Sequence, residues 1–268
     1  MGQALRQGML SYQHIFHAGN LADVHKHGLL AWVLDYLTQK DKPLSYIETH
    51  AGRGLYRLDA PEAVKTGEAA AGIGRVADWF GPDHPYTRAR DGVAEAYGPT
   101  AYPGSPLIAA HLLRPGDTLR LADLHPQECA ALAEVMRPLG AKVEQRDGIE
   151  MALAVTPPDP SRGVLLIDPS WELKSDYDTL PKAISKIARK WPVGVVLLWY
   201  PILTDDRQAK MVRTLTTQHP YALVSEVRFP AARPGHGMVG SGLFVLNPPW
   251  GLADEAGKLK QKFDSLGG

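Results

Sequence analysis

The chain has a single cysteine, Cys129, among its 268 residues, which excludes an internal disulfide and fits a reducing compartment. Long hydrophobic runs are missing too. The longest, Val193 to Leu203, contains Pro201 and falls short of the roughly eighteen apolar residues that a membrane helix needs. No basic stretch followed by an apolar one and a small-residue cleavage site opens the chain, so no export signal and a cytoplasmic location are expected. Nor is there an excess of either charge, since 29 Lys and Arg balance 29 Asp and Glu. A general nucleic-acid binder carries a basic excess that releases counterions from phosphates, so a nucleic acid would have to be met by local charge. The local candidates are Arg53 with Arg57, Arg75, Arg88 with Arg90, and Lys258, Lys260 and Lys262, each of which also reads as an ordinary solvated face.

What is present is an alternation of short apolar runs with helical patterns, the signature of a parallel sheet with crossover helices. The runs are 44–49, 118–122, 142–145, 163–167, 193–199, 221–229 and 243–246, giving seven expected strands. Helices are expected over 23–39, with Asp23 as N-cap and Leu29, Leu30, Val33, Leu34 and Leu37 along an apolar stripe, and over 127–139, 179–191 and 206–218. Residues from about 56 to 102 are too long for a crossover and carry Gly72, Gly74, Gly81 and Gly92 among short helical pieces, so a small helical insertion is expected there. Residues 1–8 read as an extension ahead of one α/β domain over 9–268.

Four strands in succession end in polar groups. The first runs into Glu48-Thr49-His50-Ala51-Gly52-Arg53-Gly54, a glycine turn that lets a ligand approach the backbone. The second ends at Asp123, whose carboxylate can take both hydroxyls of a ribose, and the third at Asp147-Gly148, where a carboxylate can meet an adenine amino group. The fourth ends in Asp168-Pro169-Ser170-Trp171. An exocyclic amine on a flat base is a poor nucleophile, because its lone pair is delocalised into the ring. Asp168 and the Pro169 carbonyl supply two acceptors for its N–H bonds, and Trp171 offers a ring face worth about 1 to 3 kcal/mol per stacked base. A hydride enzyme has no need of an acceptor pair, so S-adenosylmethionine fits this edge better than NAD. Asn247-Pro248-Pro249-Trp250 is spelled more like the usual Asn/Asp-Pro-Pro-aromatic tetrad. It ends the seventh strand, which runs antiparallel in methyltransferase-type sheets, so it is expected on the opposite edge.

The run Tyr12-Gln13-His14-Ile15-Phe16-His17-Ala18-Gly19-Asn20-Leu21-Ala22-Asp23-Val24-His25-Lys26-His27 follows no helix or strand period. It resembles the start of the ribosomal RNA large subunit methyltransferase J family, which methylates N6 of one adenine in 23S rRNA with S-adenosyl-L-methionine. The likeness continues through the Glu48 to Gly54 turn, Tyr102-Pro103-Gly104-Ser105-Pro106, Leu124-His125-Pro126, Asp147-Gly148, Asp168-Pro169, Trp199-Tyr200-Pro201 and Asn247 to Trp250. The resemblance implies a Rossmann-like class I methyltransferase sheet of seven strands, the last antiparallel, with a small helical insertion. It implies cofactor contacts from His27, His50, Ser105, Asp123, Asp147, Gly148 and Asp168, with Asp168 also the catalytic acceptor, and RNA contact from Tyr12. Relatives can carry Glu at the position of Asp123, and proline is usual at that of Ser170, so the loop here is less rigid.

His14, His17, His25 and His27 can be imagined as a metal site, but no cysteine pair or fixed acid accompanies them, and no metal is expected. Cys129 reads as packing, and Trp199-Tyr200-Pro201 as either pocket wall or core. The expected partner is 23S rRNA, with no membrane, and the chain is expected to be a monomer. Two rivals stay open at this point: an N6-adenine methyltransferase acting on DNA, and a non-catalytic RNA-binding or assembly protein that keeps the cofactor fold.

Overall fold

The computed structural model describes residues 13–231 and 237–267. Tyr12 and residues 1–8, singled out above, lie outside them. Nine strands form among the described residues: β1 Ser45–Glu48, β2 Leu55–Arg57, β3 Ala101–Pro103, β4 Thr118–Asp123, β5 Lys142–Gln145, β6 Gly163–Ile167, β7 Val195–Leu203, β8 Leu223–Arg228 and β9 Met238–Leu246. Seven of them make one sheet in the order β5-β4-β1-β6-β7-β9-β8. Pairing is parallel from β5 through β7 and antiparallel on both sides of β9. This is the Rossmann-like methyltransferase sheet with its last strand reversed. The chain order changes direction between β1 and β6, which creates a crevice at their carboxyl ends.

Sequence dictates the central strands directly. Every residue of β1 and β6 is buried, as expected of strands covered on both faces. The helices are α1 Leu21–Thr38, α2 Pro61–Thr66, α3 Glu68–Ala71, α4 Ile73–Val76, α5 Pro85–Tyr97, α6 Ser105–Leu112, α7 Pro126–Met136, α8 Gly148–Val155, α9 Asp176–Lys190, α10 Ala209–Gln218 and α11 Leu252–Asp264. One apolar core joins α1, α6, α7 and α11 to one sheet face, and a second joins α8, α9 and α10 to the other. Between β1 and β4, α2 to α5 form the insertion, closed at its base by the antiparallel pair β2 and β3. That two-stranded ribbon was not foreseen from the sequence, because three residues are too few to show a period.

Several boundaries differ from expectation for identifiable reasons. Asn20, not Asp23, caps α1, its side chain accepting from the Asp23 amide at 2.9 Å, so Asp23 sits inside the first turn. Helix α10 starts at Ala209, not Asp206, because Asp206 has a left-handed φ of 50°. Strand β7 continues past Trp199 to Leu203, pairing there with β9 alone. Beyond Leu198 its other edge has no ladder partner among the described residues, so Pro201, which has no N–H to give, is tolerated. Strand β9 begins at Met238, five residues before its apolar run, since Gly240, Ser241 and Gly242 conceal the alternation.

Candidate active site

A cavity of about 630 Å³ opens at the carboxyl ends of β1, β4, β5 and β6, within the range of about 300 to 1,000 Å³ typical of small-molecule sites. His27, His50, Ser105, Asp123, Asp147, Gly148, Asp168, Pro169 and Trp171 all line it. Each is there for a local reason. Gly52 and Gly54 take φ of 58° and 77°, which turns the backbone after β1 under the cavity. Asp123 then ties two strand ends together, accepting from the Gly52 amide and the His125 amide, both at 2.8 Å. Arg53 fastens the same turn to α7 through Glu128, at 2.9 and 2.5 Å. Burial pushes the Asp123 pKa up to about 6.

Asp147 caps α8, accepting from the Glu150 amide at 2.9 Å. A side chain at Gly148 would overlap the Thr49 carbonyl, so the strand end and helix start approach there as only glycine allows. Ser105 begins α6 and donates to Glu48 at 2.5 Å; burial raises the Glu48 pKa to about 8. His50 shares a 2.7 Å contact with Thr49. His27 is almost wholly buried, with Nδ1 3.0 Å from the Tyr102 hydroxyl, and burial lowers its pKa to about 3.

The catalytic candidate Asp168 has a partner that sequence reasoning missed. Lys26 Nζ donates to Asp168 Oδ2 at 2.6 Å and lies 3.0 Å from Asp23 Oδ1. His14 Nε2 stands 3.0 Å from Asp23 Oδ2, and the Lys26 ammonium lies 5.5 Å from the centre of the Trp199 ring. Burial alone would push the Lys26 pKa down, but Asp168 and Asp23 outweigh it and hold the ammonium above the ordinary lysine range. Lys26 therefore stays charged and occupies one oxygen of Asp168. The signal was present in the sequence: Asp23 and Lys26 are one turn apart in a segment otherwise apolar enough to be buried, and buried charges are paired.

Trp171 lines the cavity with a left-handed φ of 59°. Its ring is 7% exposed and packs on Tyr177, with centroids 4.6 Å apart. Its Nε1 is buried with no hydrogen-bond partner among the described residues. Asn247 behaves as expected of the opposite edge, with Nδ2 donating to the carbonyls of Pro192 and Gly194 before β7; Trp250 is 87% exposed. Of the basic candidates, Arg53 is held by Glu128, Arg57 by Asp59 and Arg88 by Asp35, and Lys260 by Asp264. No group of three His, Cys, Asp or Glu side chains suited to a metal occurs among the described residues, and no helix there is long and apolar enough to cross a membrane.

A family model described as "Ribosomal RNA large subunit methyltransferase D, RlmJ" matches residues 41–264. The chain belongs to the ribosomal RNA large subunit methyltransferase J family. Ribosomal RNA large subunit methyltransferase J of Escherichia coli is 39% identical over 254 residues, covering 92% of this chain and 90% of that one. Its namesake in Haemophilus influenzae is 39% identical over 256 residues, covering 91% and 89%. The crystal structure of a Legionella pneumophila protein is similar with a TM-score of 0.83 and 32% identity, over 93% of this chain and 94% of that one. Family membership thus spans both halves of the sheet and the insertion between β1 and β4.

Proposed function

We infer that this member of the large subunit methyltransferase J family transfers a methyl group from S-adenosyl-L-methionine to N6 of an adenine in 23S rRNA. The observation that carries the reading is the Lys26–Asp168 pair lining a glycine-cradled cavity. The residues present suit the cofactor. Asp123 offers a carboxylate at the second strand end for ribose hydroxyls, Asp147 one at the third for the adenine amine, and Gly148 keeps the floor open. His27, His50 and Ser105 complete the wall on the side of β1 and α6. When bound, the cofactor supplies a methyl carbon already activated by its sulfonium.

The protein's part is to hold the amine in line and dry. With Lys26 on Oδ2, Asp168 keeps Oδ1 free of protein donors among the described residues, and this oxygen accepts one N6 hydrogen. The Pro169 carbonyl accepts the other. Both contacts draw the nitrogen lone pair out of ring conjugation, and as the fourth bond forms, one N–H proton leaves through Asp168. Trp171 takes the ring face of an adenine turned out of its stack, as chemistry on a base edge requires. Positioning of this kind supplies several kcal/mol of barrier reduction. Tyr12 is assigned to the RNA. We take the enzyme as a cytoplasmic monomer; the single cysteine fits a reducing compartment.

The test is incubation with methyl-labelled cofactor and unmodified 23S rRNA, then digestion to nucleosides. Label in N6-methyladenosine is expected. Cofactor binding without label in that nucleoside sinks the reading, and label appearing only on duplex DNA moves the substrate.

A further inference from the structure

His25 takes no part in the chemistry above, yet it is 0% exposed and both ring nitrogens are engaged. Its Nδ1 lies 2.9 Å from Ser241 Oγ on β9, and its Nε2 lies 3.0 Å from Ser225 Oγ on β8. Ser241 Oγ also accepts from Trp199 Nε1 on β7 at 2.9 Å. Trp199 and Ser225 both pair with Leu243, and Ser241 pairs with Pro201, so the three side chains share the sheet face that α1 covers.

An indole N–H only donates, so Ser241 accepts from Trp199. The neutral imidazole accepts at one ring nitrogen and donates at the other, so a relay runs from Trp199 through Ser241 and His25 to Ser225 with either tautomer. A neutral histidine satisfies every buried polar atom of the relay, in keeping with a pKa that burial lowers to about 3. The next residue of α1, Lys26, meets the face of the same indole and binds Asp168. Two successive residues of one helix thus hold Trp199 by its edge and by its face.

We propose that His25, through Ser241 and with Ser225 behind it, is a positioning residue that fixes the Trp199 indole as a rigid wall of the base site, at a set angle to Asp168. The proposal rests on the reading of this cavity as the place of adenine N6 methylation. Without the Ser241 acceptor the indole can turn about its side-chain bonds, and a base lying against it loses alignment, to which in-line transfer is steeply sensitive.

Ser241→Ala removes the relay with little loss of volume. Expected is a kcat on 23S rRNA lower by about tenfold, with cofactor Kd within about twofold. In a Trp199→Phe background, which has no indole N–H, the same substitution is expected to change kcat less than about twofold. A second readout needs no turnover: the fluorescence difference between each protein and its Trp199→Phe counterpart isolates this indole, and its quenching by acrylamide is expected to rise in Ser241→Ala. An undiminished loss in the Trp199→Phe background, or unchanged quenching, overturns the proposal. Should Ser241→Ala fail to fold, Ser225→Ala carries the same cycle from the far end, with an expected loss of about threefold. A wild-type protein inactive on rRNA sinks the reading of the reaction, and a double variant too slow to measure ends the kinetic cycle; in both cases quenching still decides whether the relay holds the ring.

Discussion

Replacing Lys26 by methionine tests the site most severely, because it deletes a charge while keeping the length and most of the volume of the side chain. Lys26 is 4% exposed and lies 2.6 Å from Asp168 and 3.0 Å from Asp23. The variant leaves two carboxylates around an apolar sulfur. Removing one partner of a buried ion pair costs about 3 to 5 kcal/mol, through the charge left behind. Asp23 keeps the Gly19 amide at 2.9 Å and His14 at 3.0 Å, so the lower end, about 3 kcal/mol, is the figure to expect. For a chain of this size that lowers Tm by about 6 to 12 °C.

The loss should depend on pH with a definite sign. Burial raises the Asp23 pKa, but His14 and Lys26 outweigh it and hold the carboxyl well below its ordinary value. A depressed pKa contributes stability above the unfolded value, lost as pH falls through the folded one. The difference in Tm between wild type and variant is therefore greatest near pH 7 and shrinks below about pH 4, where the unfolded carboxyl takes up its proton. Methyl transfer should fall at least about a hundredfold, since Asp168 loses the contact that orients it. Calorimetry across pH, with the labelled-nucleoside assay, reads both effects. A Tm within about 2 °C of wild type at pH 7.5, with kcat within about threefold, would refute the reasoning.

Asp168→Ala should abolish transfer and leave cofactor affinity within about threefold by calorimetric titration; loss of both together would mean a structural role. Asp123 has a pKa raised by burial to about 6, so its contribution to folding is full below about pH 4 and is lost as pH climbs through 6. Cofactor binding needs the ionised form and has the opposite sign: affinity should weaken about tenfold per pH unit below 6, and an equally steep profile in Asp123→Asn would exclude the ribose assignment. Trp250→Ala should leave transfer within about twofold, whereas a hundredfold loss would move the catalytic assignment to the Asn247 to Trp250 segment.

The strand-end half of this site was legible because parallel strands announce themselves as apolar runs, and the residue that stops each run stands at the ligand edge. Asp123, Asp147 and Asp168 were found that way. So was the position of Asn247, since a reversed strand delivers its end to the other edge. Lys26 and His25 were not found, because no strand end or turn marks a side chain in the middle of a helix. Their partners are remote in sequence, Asp168 being 142 residues from Lys26 and Ser241 being 216 from His25. Ser241 was hidden further by the glycines beside it, and the true extent of β7 by Pro201.

The polar residues of α1 also settle a question its apolar residues leave open. From Ala22 to Ala31 every position is buried, so this half of the helix has no solvent face to set its rotation against the sheet, unlike an ordinary amphipathic helix; a partly exposed side, Trp32, Asp35 and Tyr36, begins after it. At 3.6 residues per turn, Asp23, Lys26 and His27 fall on one side and His25 points away from them. Only one rotation brings Lys26 to Asp168 while His25 meets both serines. Turning the helix by one residue would strand a buried ammonium and a buried carboxylate without partners, at several kcal/mol each. The contacts that shape the catalytic edge are thus the same ones that give α1 a single seating, and for that reason substitutions at Asp23, His25 or Lys26 should alter packing and turnover together, whereas those along Leu29, Leu30 and Leu34 should act on stability first.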